Sequence, residues 1–262
     1  MPVSEREFKD IRKGGGEGAP AQLSSDAFVL SLEDLVKETM TVDNRIWPAV
    51  AEGRLSEEYL TRLCKEYYFL GRWFTAEFGT LVSNAPDVDS LFMETSEHMA
   101  HWAQNLADEV GFLGDPHHVG MKIEWAHQLG ISADELDQFI PMPETIGLVF
   151  TSLYYMRRSY EEGLAAFGWA GEKYAASTGY AKMLYEGMRE HYGMDVENFR
   201  IHAYAEEDHG DKAEYLLKDV ATTAGAQRRI RRAILHIMTL RNARTKALNA
   251  WLDEPGALRE SA

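Results

Sequence analysis

The sequence predicts an all-α fold. From Leu32 to Leu252 apolar residues recur at spacings of three and four, the period of a helix with one buried face. No run sustains the alternation of period two that a half-buried strand requires. Serines, glycines and prolines also stand where helices should start and stop.

Residues 1–24 carry mixed charge and then GGGEGAPAQ, which cannot bury enough apolar surface to offset the entropy of ordering. They read as a flexible tail ahead of one helical domain over 25–255. LSLEDLVKETMTVDNRIWPAVAEG gives a first helix ending near Gly53, with an interruption expected at Pro48. Ser56 and Glu58 open a long helix, LSEEYLTRLCKEYYFLGRWFTAEFGTLVSN, stopped at Ala85 and Pro86. DVDSLFMETSEHMAHWAQNLADEVG follows, with Gly111 as its C-terminal cap, and GFLGDP is a turn. A short helix from His117 to Leu129 closes at Gly130, and Ser132 caps another in SADELDQFI. Pro141 and Pro143 precede an apolar helix from Glu144 to Phe167, and FGWAG is expected to break the chain. Helices then run from Glu172 to Tyr192, from Val196 to Thr222 and from Ala226 to Leu252. The last carries Arg228, Arg229, Arg231 and Arg232 in its first turns, where positive charge opposes the helix dipole. A solvated or subunit-contacting face would accommodate them.

Acidic residues exceed basic ones by 42 to 27, which argues against nucleic acid or an anionic membrane surface as the partner and favours a small molecule. Cys64 is the single cysteine, so neither a disulfide framework nor a cysteine zinc site is available, and a reducing cytoplasmic setting is expected. No apolar run reaches the length of a membrane span.

The stretch HAYAEEDH, residues 202–209, concentrates the chemistry. At about 100° per residue on a helix, His202, Glu206 and His209 fall within roughly 60° of one another, while Glu207 and Asp208 rotate away. Two imidazoles and one carboxylate at a single locus suit iron, manganese or zinc. Further ligands would have to come from helix ends. Glu109 lies just before Gly111, and His118 follows across the turn that contains Pro116. Glu172 follows the FGWAG segment, where a glutamate in a first helical turn would also be accounted for by the dipole alone. Taken singly, each of these residues is explained by a capping, core or surface role.

Together they resemble the haem-oxygenase-like diiron oxidases and oxygenases. That family includes a para-aminobenzoate-forming protein and an undecene-forming fatty acid decarboxylase. The resemblance spans about residues 30–250 and rests on Glu109, His118, Glu172 and the triplet His202, Glu206, His209. HHVGMKIEWAHQLG is similar to the family's segment after its first histidine and favours His118 over His117. The sequence departs from the pattern at Glu206, where the family usually has Asp.

The resemblance implies a haem-oxygenase-like bundle holding two irons on those six residues, with O2 as cosubstrate. Three carboxylates and three imidazoles with open positions suit that task. It also implies a homodimer, an external electron donor and a place in natural-product biosynthesis. The substrate class favoured is an amino acid, with a fatty acid as rival. A metal-free enzyme or ligand-binding protein of the same fold is the alternative from another class.

Glu77, in the aromatic stretch GRWFTAEFG, is similarly placed to a Trp-x3-Glu in the undecene-forming member. It is a candidate extra ligand, proton donor or partner for a substrate amine, or else a structural acid paired with an arginine such as Arg157. Of Tyr67, Tyr68, Trp73, Phe74, Tyr154 and Tyr155, ordinarily core residues, some are expected to wall the site, Trp73 and Tyr154 in first place.

Overall fold

A computed structural model describes residues 22–86, 88–89, 94–112 and 117–259, without the side chains of 88–89, 94–95, 176 and 204–211. The described chain is built of helices, plus one two-residue antiparallel pairing of Val88–Asp89 with Glu94–Thr95. The expected all-α class holds, although several boundaries move for local physical reasons.

The first helix, α1 (Ser25–Thr39), is capped by the Ser24 hydroxyl, which accepts from Ala27 N. Most of the expected tail lies outside the described residues. Gln22 and Leu23, which the tail was expected to include, are tied to the bundle through Thr222 O and the Gln227 side chain. The break in the first predicted helix falls before α2 (Ile46–Ala51) and not at Pro48. The Asn44 carboxamide accepts from the backbone N–H groups of Ile46 and Trp47 and so starts a new helix. Pro48 then sits in the first turn, where its missing N–H has no partner to lose.

The long second helix divides into α3 (Glu57–Gly71) and α4 (Phe74–Asn84). Its turn at Arg72–Trp73 follows Gly71, against which the Lys122 side chain is laid so closely that a Cβ would collide with it. α5 (Glu97–Val110) starts later than expected, because the Ser96 hydroxyl caps it by accepting from Met99 N; it ends as expected on Gly111 at φ 71°. α6 (His118–Gln128) and α7 (Ala133–Gln138) match the sequence reading, the latter with the full Ser132–Glu135 capping box.

The predicted helix from Glu144 to Phe167 is cut short. α8 (Pro143–Arg158) stops at an extended Ser159, whose hydroxyl caps α9 (Tyr160–Gly163). The chain does not break at FGWAG. It continues as a π-helical segment, Leu164–Lys173, in which the backbone hydrogen bonds span five residues. α10 (Tyr174–Thr178) ends at Gly179 in the left-handed region, and α11 (Tyr180–Tyr192), α12 (Glu197–Val220) and α13 (Ala224–Trp251) complete the chain.

α12 packs along the π segment, α13 along α8, and α11 along α2. Two apolar clusters form. One gathers Phe78, Trp102, Leu164 and Ile234; the other gathers Leu60, Trp125, Phe199 and Trp251. No described helix is long and apolar enough to cross a membrane.

Candidate metal centre and substrate cavity

A cavity of about 830 Å3 opens between the two clusters, with walls drawn from both. Glu77, His118, Glu172 and His202 all line it. They arrive from α4, the start of α6, the π segment and α12. The wide turn of the π segment brings Glu172 to the wall from its last turn, so the first-turn dipole reading of this residue does not apply.

His118 donates from Nδ1 to Glu109 Oε2 at 2.6 Å. Glu109 is 1% exposed and backs His118 without itself lining the cavity; its Oε1 is buried with no hydrogen-bond partner among the described residues. His202 donates from Nδ1 to the Asn198 carbonyl at 2.6 Å, and its ring centre lies 5.2 Å from that of His118. In both rings the bond at Nδ1 fixes the tautomer and makes Nε2 the nitrogen that carries the lone pair. His117, by contrast, is exposed and caps α6 by accepting from Gly120 N.

The carboxylates of this cavity are crowded. Burial pushes Glu77 up to about 8, the Ser152 hydroxyl and Arg241 opposing the rise and the Glu172 and Glu109 charges adding to it. Burial likewise pushes Glu172 up to about 7, reinforced by the charge of Glu109. Arg157, the structural partner considered for Glu77, is exposed on α8, and Glu77 has no salt bridge among the described residues.

Two features were not foreseen. Lys122, four residues after His118, is buried beside Glu109 and Glu172; burial drives its ammonium pKa down while the two acids pull it up. Arg241 and Arg244 reach the cavity from α13. The available signal was a pair of arginines inside the apolar stripe of Ile230, Ile234, Ile237 and Leu248.

Other expected residues lie elsewhere. Trp73 packs on Phe69 and Phe150 outside the cavity lining. Tyr154 is 53% exposed, accepts from Arg158, and is not part of the lining either. The backbone of α12 runs through positions 206 and 209, but the side chains of Glu206 and His209 lie outside the described residues. Among the described residues no three His, Cys, Asp or Glu side chains already converge as a metal cluster. Cys64 is fully buried, and burial holds its thiol protonated, far from nucleophile behaviour.

The donor chemistry nevertheless fits metal. Two desolvated carboxylates, Glu77 and Glu172, share one cavity without a salt bridge among the described residues, and the buried Glu109 Oε1 is orphaned beside an imidazole of fixed tautomer. Such an arrangement is costly unless cations complete it.

The overall arrangement defines a helical protein of the haem-oxygenase-like fold. It resembles a domain of unknown function with that fold from Shewanella denitrificans, at TM-score 0.64 and 12% identity over 92% of this chain and 100% of the other. A TenA homologue from Pseudomonas syringae pv. tomato gives TM-score 0.64 at 14% identity, covering 88% and 96%. A CADD-like protein of unknown function from Nostoc punctiforme gives 0.60 at 12%, covering 85% and 97%. No curated protein matches the sequence. The family of iron-containing redox enzymes does match, over residues 62–242, and the chain belongs to it.

Proposed function

We propose that this iron-containing redox enzyme is a non-haem diiron oxidase or oxygenase that uses O2 to oxidise a small organic substrate, in first place an amino acid. The observation that supports this best is the sharing of one cavity by Glu77, Glu172, His118 and His202, with Glu109 directly behind. Glu109, His118, Glu172 and His202 would hold the metal, together with Glu206 and His209 from the ridge of α12. Bound iron supplies the reduction of O2 and the oxidising power.

The protein's own residues do the rest. Asn198 and Glu109 hold the two rings so that each offers Nε2. Apolar walls such as Phe74, Leu148 and Phe167 keep water from the reacting space. Glu77, buried on the cavity wall, is placed to receive the ammonium group of an amino acid or to exchange a proton with the substrate.

Protein prepared without oxygen should take up about two Fe(II) per chain and then consume O2. His118→Ala and His202→Ala should lower iron uptake at unchanged helicity, since each removes a ligand and little core volume. Uptake of zinc alone, or of no metal, overturns the reading.

A second reading, metal-free ligand binding or acid–base catalysis, is favoured by Lys122, a cation already beside Glu109 and Glu172. Under that reading Lys122→Met abolishes ligand binding; under the diiron reading it leaves iron uptake intact.

A further inference from the structure

α13 turns one face to the cavity, with Ile237, Arg241, Arg244 and Thr245 at successive helical positions i, i+4, i+7 and i+8. Two arginines on an otherwise apolar stripe call for an explanation. Arg244 is only 8% exposed; its Nε donates to Thr145 Oγ1 at 3.0 Å, but its Nη2 is buried with no hydrogen-bond partner among the described residues. Arg241 likewise has a buried Nε without a hydrogen-bond partner among the described residues. The guanidinium carbons lie over tyrosine rings, Arg241 5.4 Å from Tyr174 and Arg244 5.6 Å from Tyr67.

Arg229 and Arg232, earlier on the same helix, are closed off in ion pairs with Glu161 and Glu162. Neither Arg241 nor Arg244 has a salt bridge among the described residues, although Glu77 and Glu172 attract the first and Glu66 the second. Glu66 spends Oε1 on the Met142 N–H. Two like charges one turn apart repel, and their unused N–H groups are desolvated, so the pair is incomplete as it stands.

We infer that Arg241 and Arg244 form the anchor for the carboxylate of the substrate, so that the cavity takes a small carboxylic acid with its chain against the apolar wall. This rests on reading the cavity as the substrate chamber of an oxidase. Planar guanidinium forks match a carboxylate, and charge-assisted hydrogen bonds of this kind exceed neutral ones about twofold in strength. Leu148 and Val149, close by, give the chain an apolar wall. Arg200, the third arginine of the lining, is paired with Glu197, so Arg241 and Arg244 are the lining guanidiniums without a salt bridge among the described residues. An α-amino acid and a plain alkyl acid share this chemistry, and Glu77 would add an ammonium contact for the former only.

The test is calorimetric titration of the full chain, metal-free and anaerobically Fe(II)-loaded, with octanoate, octanamide, L-norleucine and L-norleucinamide. At least one acid should bind at least about tenfold more tightly than its amide, and Arg241→Gln should weaken that acid about 10- to 100-fold with the amide unchanged. Arg241→Lys, which keeps the charge without the fork, should fall between. Arg244→Gln also removes the bond to Thr145, so the Arg241 variants carry the test if it fails to fold. Preference for norleucine assigns an amino acid, and preference for octanoate an alkyl acid. Equal binding of acid and amide overturns the inference. So does acid binding that requires iron and survives Arg241→Gln, which would put the carboxylate on the metal, and so does no binding of either acid. Acid binding through Arg241 in a chain that takes up no iron leaves this inference standing and removes the diiron reading instead.

Discussion

Glu162 and Glu77 are buried alike, 1% and 2% exposed, yet the protein treats them in opposite ways. Glu162, on α9, receives Arg158 Nε at 3.0 Å and Arg232 Nη2 at 2.7 Å, with the Ser159 hydroxyl at 3.3 Å. Glu77, on the cavity wall, has no salt bridge among the described residues and is left to its neighbours' charges. Where a carboxylate only joins α8, α9 and α13, the sequence supplies its cations. At Glu77 no cation stands within salt-bridge reach among the described residues, and Arg241 acts on it only through its charge. This also accounts for half of the arginine quartet at the start of α13: Arg229 and Arg232 serve the acids of α9, while Arg228 and Arg231 have no salt bridge among the described residues.

The largest test of this contrast is a pair of substitutions. Glu162→Gln strips the charge that two arginines converge on and should cost about 2–3 kcal/mol in urea unfolding, the half-exposed guanidiniums recovering part of the loss from water. Glu77→Gln in metal-free protein should cost less than about 0.5 kcal/mol or stabilise, because burial already keeps this carboxyl protonated and an amide reaches the same neutral state without taking up a proton. The reverse order would break the comparison.

A somewhat smaller effect is expected from pH. Burial lifts Glu77 from 4.5 to about 8, so the folded metal-free protein keeps a proton that the unfolded chain releases above pH 4.5. Its stability should therefore be fully present below that pH and decline as pH rises toward 8, by at most about 4–5 kcal/mol for the full shift and by on the order of 1–2 kcal/mol once water entry into the cavity and relaxation offset part of it. Glu172, lifted to about 7, acts with the same sign over a narrower window. Unfolding profiles between pH 5 and pH 8, run with and without Glu77→Gln, should show the slope flattened in the variant; a parallel slope would assign it to other groups.

The smallest effect concerns Lys122. Gly71→Ala places a methyl group against the end of that flexible side chain and should cost under about 1 kcal/mol if the ammonium can swing away from Glu109 and Glu172. A loss of several kcal/mol would sharpen the contrast by making Lys122 a fixed, built-in counter-ion of the cavity.

Much of this was legible in the sequence because helix periodicity and caps are local. Ser132 with Glu135, Gly111, Gly130 and Gly193 behave as their side chains dictate. The failures arose where a local signal competed with another. Asn44 restarted a helix before Pro48 could interrupt it. FGWAG, rich in glycine, stayed helical because its apolar residues are buried on every side and the backbone took up the wider winding.

Spacing and resemblance together named His118, His202, Glu172 and Glu77, which meet at one cavity. Periodicity could not say which of the six candidate aromatic side chains face it: Tyr67 and Phe74 line it, while Trp73 and Tyr154, put in first place, do not. Lys122, Arg241 and Arg244 went unremarked because a cation on a helix is ordinarily read as solvated. Their places in apolar stripes were the sign.

The π-helical segment has a consequence for insertions and deletions. Ten residues, Leu164–Lys173, are wound more loosely than an α-helix between α9 and α10, whose ends are held by packing against α8 and α12. Removing one residue would let the segment tighten toward α-helical winding, and each residue of register is worth about 100° of rotation. Glu172 would then swing off the cavity wall with every side chain still present and every apolar residue still apolar. At this point in the molecule the carboxylate's direction is encoded in the length of the chain, and a one-residue deletion would silence it as surely as replacing the glutamate.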